Sequence, residues 1–256
     1  MSEYILETQD LTKEFKGFTA VDSVNLRVQR GHIHALLGPN GAGKTTCFNL
    51  LTKFLTPTRG RIAFNGVDIT GESSAQIARR GVIRSFQISA VFPHLTVLEN
   101  VRIGLQRFTG TSFHFWRGLS GLQKLDHRVL ELLELVDLRD MAGVKAADLP
   151  YGRKRALEIA TTMAMEPQLM LLDEPTQGMG HEDVDRVTEL IKRVAEGRTV
   201  LMVEHNMRVV SRIADRITVL ARGAVLAEGD YATVSKHPAV LEAYMGTEAT
   251  ELQGAH

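Results

Sequence analysis

The chain has little of what would place it outside a reducing compartment or across a bilayer. It has a single cysteine, Cys47, which cannot form an internal disulfide. No apolar run approaches the roughly 20 residues needed to span a membrane. The start Met1-Ser2-Glu3-Tyr4 lacks the basic and apolar stretches of a secretory leader. The expectation is a cytoplasmic protein, held at a membrane only by other proteins if at all. An excess of charge is also missing: 30 basic residues stand against 30 acidic ones. That balance removes the overall electrostatic case for nucleic-acid or anionic-membrane binding. Arg79-Arg80 and Arg84 read as a solvated face with ion pairs. What is present is apolar material, 44% of 256 residues, enough for one large domain or a core with a subdomain.

The most informative segment is Gly38-Pro39-Asn40-Gly41-Ala42-Gly43-Lys44-Thr45-Thr46. Its glycines let the backbone turn in and aim N–H groups at anionic oxygens. The spacing Gly38-x4-Gly43-Lys44-Thr45 is the P-loop pattern, with Lys44 placed for the β- and γ-phosphates and the Thr45 hydroxyl for magnesium. Context supports it. Ile33 to Leu37 reads as a strand covered on both faces, and Lys44 to Phe54 repeats apolar residues in helical steps. The start of that helix adds partial positive charge beneath the phosphates. Cys47, on the same helix, reads as a small packed side chain, although its position also makes a thiol-sensitive ATPase conceivable.

Three regions follow from the pattern. The first, to about residue 87, is strand-rich: Val24 to Val28 alternates, and Arg61 to Phe64 pairs with Val67 to Ile69 across the turn Asn65-Gly66. The middle, 88–160, gains helical signals, as in residues 128 to 136, and reads as an inserted α-helical subdomain. The last region alternates strands, Leu169 to Leu172 and Thr199 to Val203, with a helix whose apolar face is Val184, Val187, Leu190, Ile191 and Val194. His181-Glu182-Asp183 puts acids into that helix's first turn, where its dipole favours them. Ile217 to Leu220 and Val225 to Ala227 form a hairpin about Arg222-Gly223. The predicted class is α/β, a mostly parallel sheet in a P-loop NTPase core.

A second constellation lies at Leu169 to Glu174, an apolar strand ending in two carboxylates. Asp173 at the strand's carboxyl end suits a magnesium ligand, and Glu174, one residue out, suits the polarisation of an attacking water. His205 follows the next strand, so the same sheet edge offers it a γ-phosphate contact; a lone histidine is more often structural.

With these motifs in this order, the chain resembles the nucleotide-binding subunit of an ABC transporter over nearly its whole length. Gly38 to Thr46 matches the Walker A segment, Arg84-Ser85-Phe86-Gln87 the Q-loop, and Leu149-Pro150-Tyr151-Gly152-Arg153 the signature. Leu171 to Glu174 matches the Walker B, and Val203-Glu204-His205 carries the switch histidine. The resemblance implies a RecA-like core with an N-terminal antiparallel β subdomain, residues 1–87 and 161–256, and a helical signature subdomain, 88–160. It implies ATP and Mg2+ as ligands, Gln87 as a magnesium contact linked to the helical subdomain, and Phe15 stacking on adenine. An aromatic in a strand is also an ordinary core residue. Residues 91 to 101, the tyrosine in the signature, Val203 to Met207 and the tail Glu242-Ala243-Tyr244-Met245-Gly246 are similar to importers of branched-chain amino acids. The tail is similar to lipopolysaccharide-exporting ATPases too, and a soluble non-transport ABC ATPase is the rival class.

The same resemblance implies partners. Two subunits close head to tail, so that each ATP lies between one chain's Walker A and the other's signature. Transmembrane permease subunits and a solute-binding protein complete the assembly, with this chain peripheral on the cytoplasmic face of the plasma membrane. Two departures stand out. Pro150 replaces the signature serine whose hydroxyl donates to the partner's γ-phosphate, and Gly180 stands where the D-loop usually has Asp or Asn. Arg153 also replaces a glutamine. These favour a heterodimer with one degenerate site over a homodimer. The aromatic segment Phe108 to Trp116 reads equally as a groove for a membrane-subunit helix and as a folded-over core loop.

Overall fold

A computed structural model describes residues 3–85, 91–106 and 125–244. Two sheets organise them. The N-terminal one is antiparallel: β1 (Tyr4–Phe15) pairs with β2 (Phe18–Val24), β3 (Arg27–Gln29) and β5 (Arg59–Phe64), and β5 pairs with β6 (Val67–Asp68). The six-stranded sheet has the order β11-β10-β4-β9-β8-β7. Its strands are β4 (Ile33–Leu37), β7 (Val82–Ser85), β8 (Leu169–Asp173), β9 (Thr199–Val203), β10 (Arg216–Ala221) and β11 (Ala224–Gly229). All its pairings are parallel except that of β10 with β11.

The continuous apolar runs read as doubly covered strands do lie between two cores. Every residue of β4, β8 and β9 is buried. Ala35, Leu37, Met170, Leu172, Val200 and Met202 face one cluster, while Leu36, Leu169, Leu171, Leu201 and Val203 face the other. The first cluster is completed by α3 (Val97–Gln106), α4 (Asp126–Leu135), α5 (Tyr151–Ala164) and α6 (His181–Ala195). The second is completed by the antiparallel sheet, α1 (Lys44–Leu51) and Ile77 of α2 (Ser74–Arg79). Burying each Leu, Ile or Val contributes roughly 1.5–3 kcal/mol, so the two faces fix the register of the sheet.

Local chemistry explains the boundaries. Asn65 (φ 51°) and Gly66 (φ 75°) are both left-handed, as the β5–β6 turn requires, and Arg222 (φ 51°) and Gly223 (φ 84°) repeat this between β10 and β11. The α6 face is the predicted one, with Val184, Val187, Leu190, Ile191 and Val194 buried and Glu182 and Asp183 in the first turn. Two expectations shift. Val24 to Val28 is not one strand: Ser23 turns left-handed (φ 50°), and Asn25 Oδ1 accepts from the Asp10 N–H at 2.9 Å. The chain thereby passes from pairing with the end of β1 to pairing with its start. The P-loop helix stops at Leu51 rather than Phe54, because Lys53 is left-handed (φ 59°) and Leu55 N–H donates back to Asn49 C=O at 3.0 Å.

Candidate functional site

Strand register assembles the site. Leu36 of β4 lies beside Val203 of β9, and Val203 lies beside Asp173 of β8. Adding two residues to β4 and β9 therefore reaches Gly38 and His205 at the carboxyl edge where Asp173 and Glu174 emerge. The phosphate loop, the acidic pair and the histidine, far apart in sequence, leave three adjacent parallel strands side by side. This is the edge at which open α/β sheets bind ligands.

The loop is built for backbone contact. Gly38 has φ 150°, and a Cβ there would lie 2.3 Å from Leu220 C=O. Gly43 has φ 98°, and its Cβ would lie 2.4 Å from Ala20 C=O. Neither position admits a side chain, so β10 and β2 press directly on the loop. Ala42 N–H donates to Pro39 C=O at 3.1 Å and closes the turn. Gly43 caps α1 with no side-chain hydrogen bond, and the first turn holds no acid to compete with an anion. Asn40, Gly41 and Thr45 are exposed and Thr46 is half-buried. Lys44 is buried, and its ammonium donates to Gly38 C=O at 2.7 Å and Pro39 C=O at 3.0 Å. Burial lowers its pKa, while Glu174 and then Asp173 oppose the shift. Both carboxylates are therefore close enough to stabilise its charge.

Asp173 is buried and ion-paired to Arg84 of β7. Glu174 is half-buried with a left-handed backbone (φ 43°), and its N–H donates to Val203 C=O at 3.0 Å. A non-glycine residue held there stores strain, which is common where a side chain must be aimed. His205 is exposed. Phe15 ends β1, is 41% exposed and has the Lys13 ammonium 5.1 Å from its ring centre. Its β2 partner strand carries Ala20 against Gly43, so the ring's hairpin borders the loop.

The signature segment lies elsewhere. Leu149 is buried, and Pro150 is the N-cap of α5 (φ −57°, ψ 156°). Tyr151 is 61% exposed and its hydroxyl donates to Gln177 C=O at 3.1 Å. Gly152 lies against Asp183, and Arg153 donates to Asp137 C=O at 2.6 Å. Among the described residues, none of these hydrogen bonds reaches the phosphate loop. Gly180 caps α6 at φ −71°, with open space where a Cβ would stand. Gln87 and the segment 108–116 fall outside the described residues.

One reading is corrected. Arg80 does pair with Glu72 on an exposed face, but Arg84 is no solvated arginine. Its side chain is 11% exposed, bonds Asn49 Oδ1 at 2.7 Å and packs over the Phe48 and Phe54 rings as well as holding Asp173. The only local signal was its place after the apolar Val82-Ile83; its acidic neighbour is brought to it by strand pairing. Arg155 and Glu204 also escaped the sequence reading. Arg155 is buried and donates to Asp173 C=O at 3.0 Å and Pro175 C=O at 3.2 Å, tying α5 to the acidic turn. Cys47 is fully packed, and burial pushes its thiol up to about 12.

Comparison with known proteins agrees with this geometry. Residues 21–177 match the family model described as ABC transporter, and residues 224–250 match that of the branched-chain amino acid ATP-binding cassette transporter. The chain is 39% identical to the high-affinity branched-chain amino acid transport ATP-binding protein BraF of Pseudomonas aeruginosa, over 96% of this chain and 99% of that one. It is 38% identical to its counterpart LivG of Escherichia coli K12, over 96% and 99%. Among solved structures, the ADP conformation of MJ1267, an ATP-binding cassette of an ABC transporter, superposes with a TM-score of 0.84 at 28% identity, covering 96% of this chain and 100% of that one. A dimeric post-hydrolysis state of the cassette MJ0796, bound to ADP and Pi, gives 0.73 at 27% identity, over 88% and 98%.

Proposed function

The chain belongs to the ABC transporter family of ATP-binding proteins, and from that premise we propose that it hydrolyses ATP to energise import of branched-chain amino acids or related small polar solutes. One observation carries the enzymatic reading: the phosphate loop from Gly38, with the Lys44 ammonium folded back on it, and Asp173, Glu174 and His205 lie at the carboxyl ends of three neighbouring parallel strands. The solute class rests on the relatives' names and the matching tail.

The loop from Gly38 to Thr46 would wrap the β- and γ-phosphates with backbone N–H groups, and Lys44 would turn from its carbonyls to the phosphate oxygens. Phe15 would carry the adenine. Glu174 would orient the attacking water and accept its proton, with His205 at the γ-phosphate. Thr45, Asp173 and Gln87 would hold Mg2+. A carboxylate close enough to act on Lys44, with the hydroxyl of the next residue, Thr45, on the same helix start, is a donor set that suits this ion. When bound, it would neutralise charge developing on the phosphoryl oxygens.

Leu149 to Arg153 would face the ATP of a second ABC subunit, and Pro150 would make that site the weaker one of a heterodimer. The division into residues 1–87 with 161–256 and residues 88–160 would let closure pass through Gln87 to permease subunits at the cytoplasmic face of the membrane. Binding favours closure only through contacts made in the closed state. A solute-binding protein would deliver the cargo; nucleic acid has no part. The test is ATP turnover and solute uptake by the complex reconstituted in vesicles. Glu174→Gln should abolish both while retaining ATP binding; normal turnover would sink the assignment.

A further inference from the structure

Glu204 is fully buried, yet it carries a carboxylate. Isolated, such a charge would be prohibitively costly; here every side of it is met. Oε1 accepts from the Thr176 N–H at 3.1 Å and the Thr176 hydroxyl at 2.7 Å. Oε2 accepts from the His205 N–H at 3.1 Å and the Asn206 N–H at 3.2 Å. Only an ionised carboxylate offers acceptors alone in both directions; an amide would turn a donor toward one of the two loops.

The two loops so joined matter. Thr176 lies two residues past Glu174, on the turn closed by Gln177 N–H to Glu174 C=O at 3.1 Å. On the other side, Asn206 caps α7 (Met207–Ile213), its side chain accepting from the Arg208 N–H at 3.1 Å. His205 is therefore pinned between the end of β9 and a helix cap, by a bond to its own N–H. The Glu204 backbone is fixed as well, donating to Leu36 C=O at 3.4 Å. One side chain thus sets the exit of the histidine's loop against the turn that follows Glu174.

We propose that Glu204 is a positioning residue that, braced on Thr176, holds His205 in register with Glu174 at the γ-phosphate. This rests on the roles proposed above for Glu174 and His205. A displaced histidine leaves ATP binding, which Lys44 and the loop supply, and slows the chemical step.

The experiment uses the complex reconstituted with its second ABC subunit and permease subunits, with Mg-ATP, in steady state and single turnover, beside equilibrium binding of a fluorescent ATP analogue. Glu204→Gln should lower kcat by about ten- to hundredfold while the analogue's Kd moves less than about twofold. In the His205→Ala background the same change should lower the residual single-turnover rate by less than about twofold, because its target is gone. Equal losses in both backgrounds, or a folded Glu204→Gln with normal kcat, would overturn the proposal. If Glu204→Gln does not fold, Thr176→Val removes one donor only. It should lower kcat several-fold in the wild-type background and hardly at all with His205→Ala, and equal losses again overturn it. Glu174→Gln and His205→Ala run alongside: normal turnover in these would defeat the reading of the site itself, whereas their loss with an unaffected Glu204→Gln would defeat the positioning role alone.

Discussion

Arg84 of β7 and Asp173 of β8 form an ion pair with both side chains nearly out of solvent, 11% and 2% exposed. Asp173 is thereby held at the strand end before any other cation meets it, and the same guanidinium reaches Asn49 on α1 at 2.7 Å. The acidic strand end and the phosphate-loop helix are linked through one arginine.

Removing that arginine should be costly. Arg84→Met removes the direct partner of the buried Asp173 carboxylate, which destabilises by about 3–5 kcal/mol. For a chain of this size that lowers Tm by roughly 6–20 °C. The double variant Arg84→Met with Asp173→Leu should recover most of the loss, since both charges are then gone. Thermal melting of the three proteins checks this; additive losses would show that the pair is not a unit.

Acid sensitivity should centre on His34. It is fully buried in β4, its Nε2 lies 2.8 Å from the Thr218 hydroxyl and its Nδ1 has no hydrogen-bond partner among the described residues. Burial, then the charges of Arg216 and His32, lower its pKa from 6.5 to about 3. The folded chain keeps it neutral while the unfolded chain takes up a proton below about pH 6.5, so stability is full above that pH and falls as pH drops toward 3. The slope is about 1.4 kcal/mol per pH unit. The shifted carboxylates start from unfolded values of 4.5 or less, so the histidine dominates the interval from pH 6.5 to 5. Denaturant unfolding across it should lose about 2 kcal/mol, and His34→Gln should flatten the curve.

Cys47 should not make the enzyme sensitive to thiol reagents. With the thiol pushed up to about 12 and fully buried, roughly one molecule in 10⁵ is thiolate at neutral pH. N-ethylmaleimide should leave ATP turnover intact and label the native chain only as it opens, while denaturant should expose one rapidly reacting thiol. Fast labelling of the native protein would contradict the packing.

What was legible in the sequence was local. Asn65-Gly66 announces its turn because two successive left-handed residues are needed there, and Gly38 to Thr46 announces its loop because glycine and lysine act through their immediate neighbours. The α6 face was readable from its spacing alone. Arg84 and Glu204 were not, because each meets its partner only through strand register. Asp173 is 89 residues from Arg84, and Thr176 is 28 from Glu204. A charged residue inside or just after an apolar strand looks like an exception until the neighbouring strand is known. Pro150 was legible as a departure, but not as a helix cap.

That last position allows the degenerate-site idea to be separated from a purely structural one. Pro150 caps α5 with no side-chain hydrogen bond at ψ 156°, a backbone that serine also adopts. In Pro150→Ser the hydroxyl oxygen can accept from the first-turn N–H groups, adding about 0.5–2 kcal/mol, while loss of the proline ring subtracts about 0.4–1 kcal/mol. The melting temperature should therefore rise slightly or stay level. The hydroxyl proton remains free to donate, and if the signature meets a partner's γ-phosphate it adds a bond to a charged group, worth roughly 1.5–3 kcal/mol or about ten- to hundredfold in that site's strength. ATP turnover of the reconstituted complex should then increase several-fold with serine but not with Pro150→Ala, which lacks the hydroxyl. Should serine shift the melting curve and leave turnover where it was, Pro150 is only a cap, and the two ATP sites do not differ on its account.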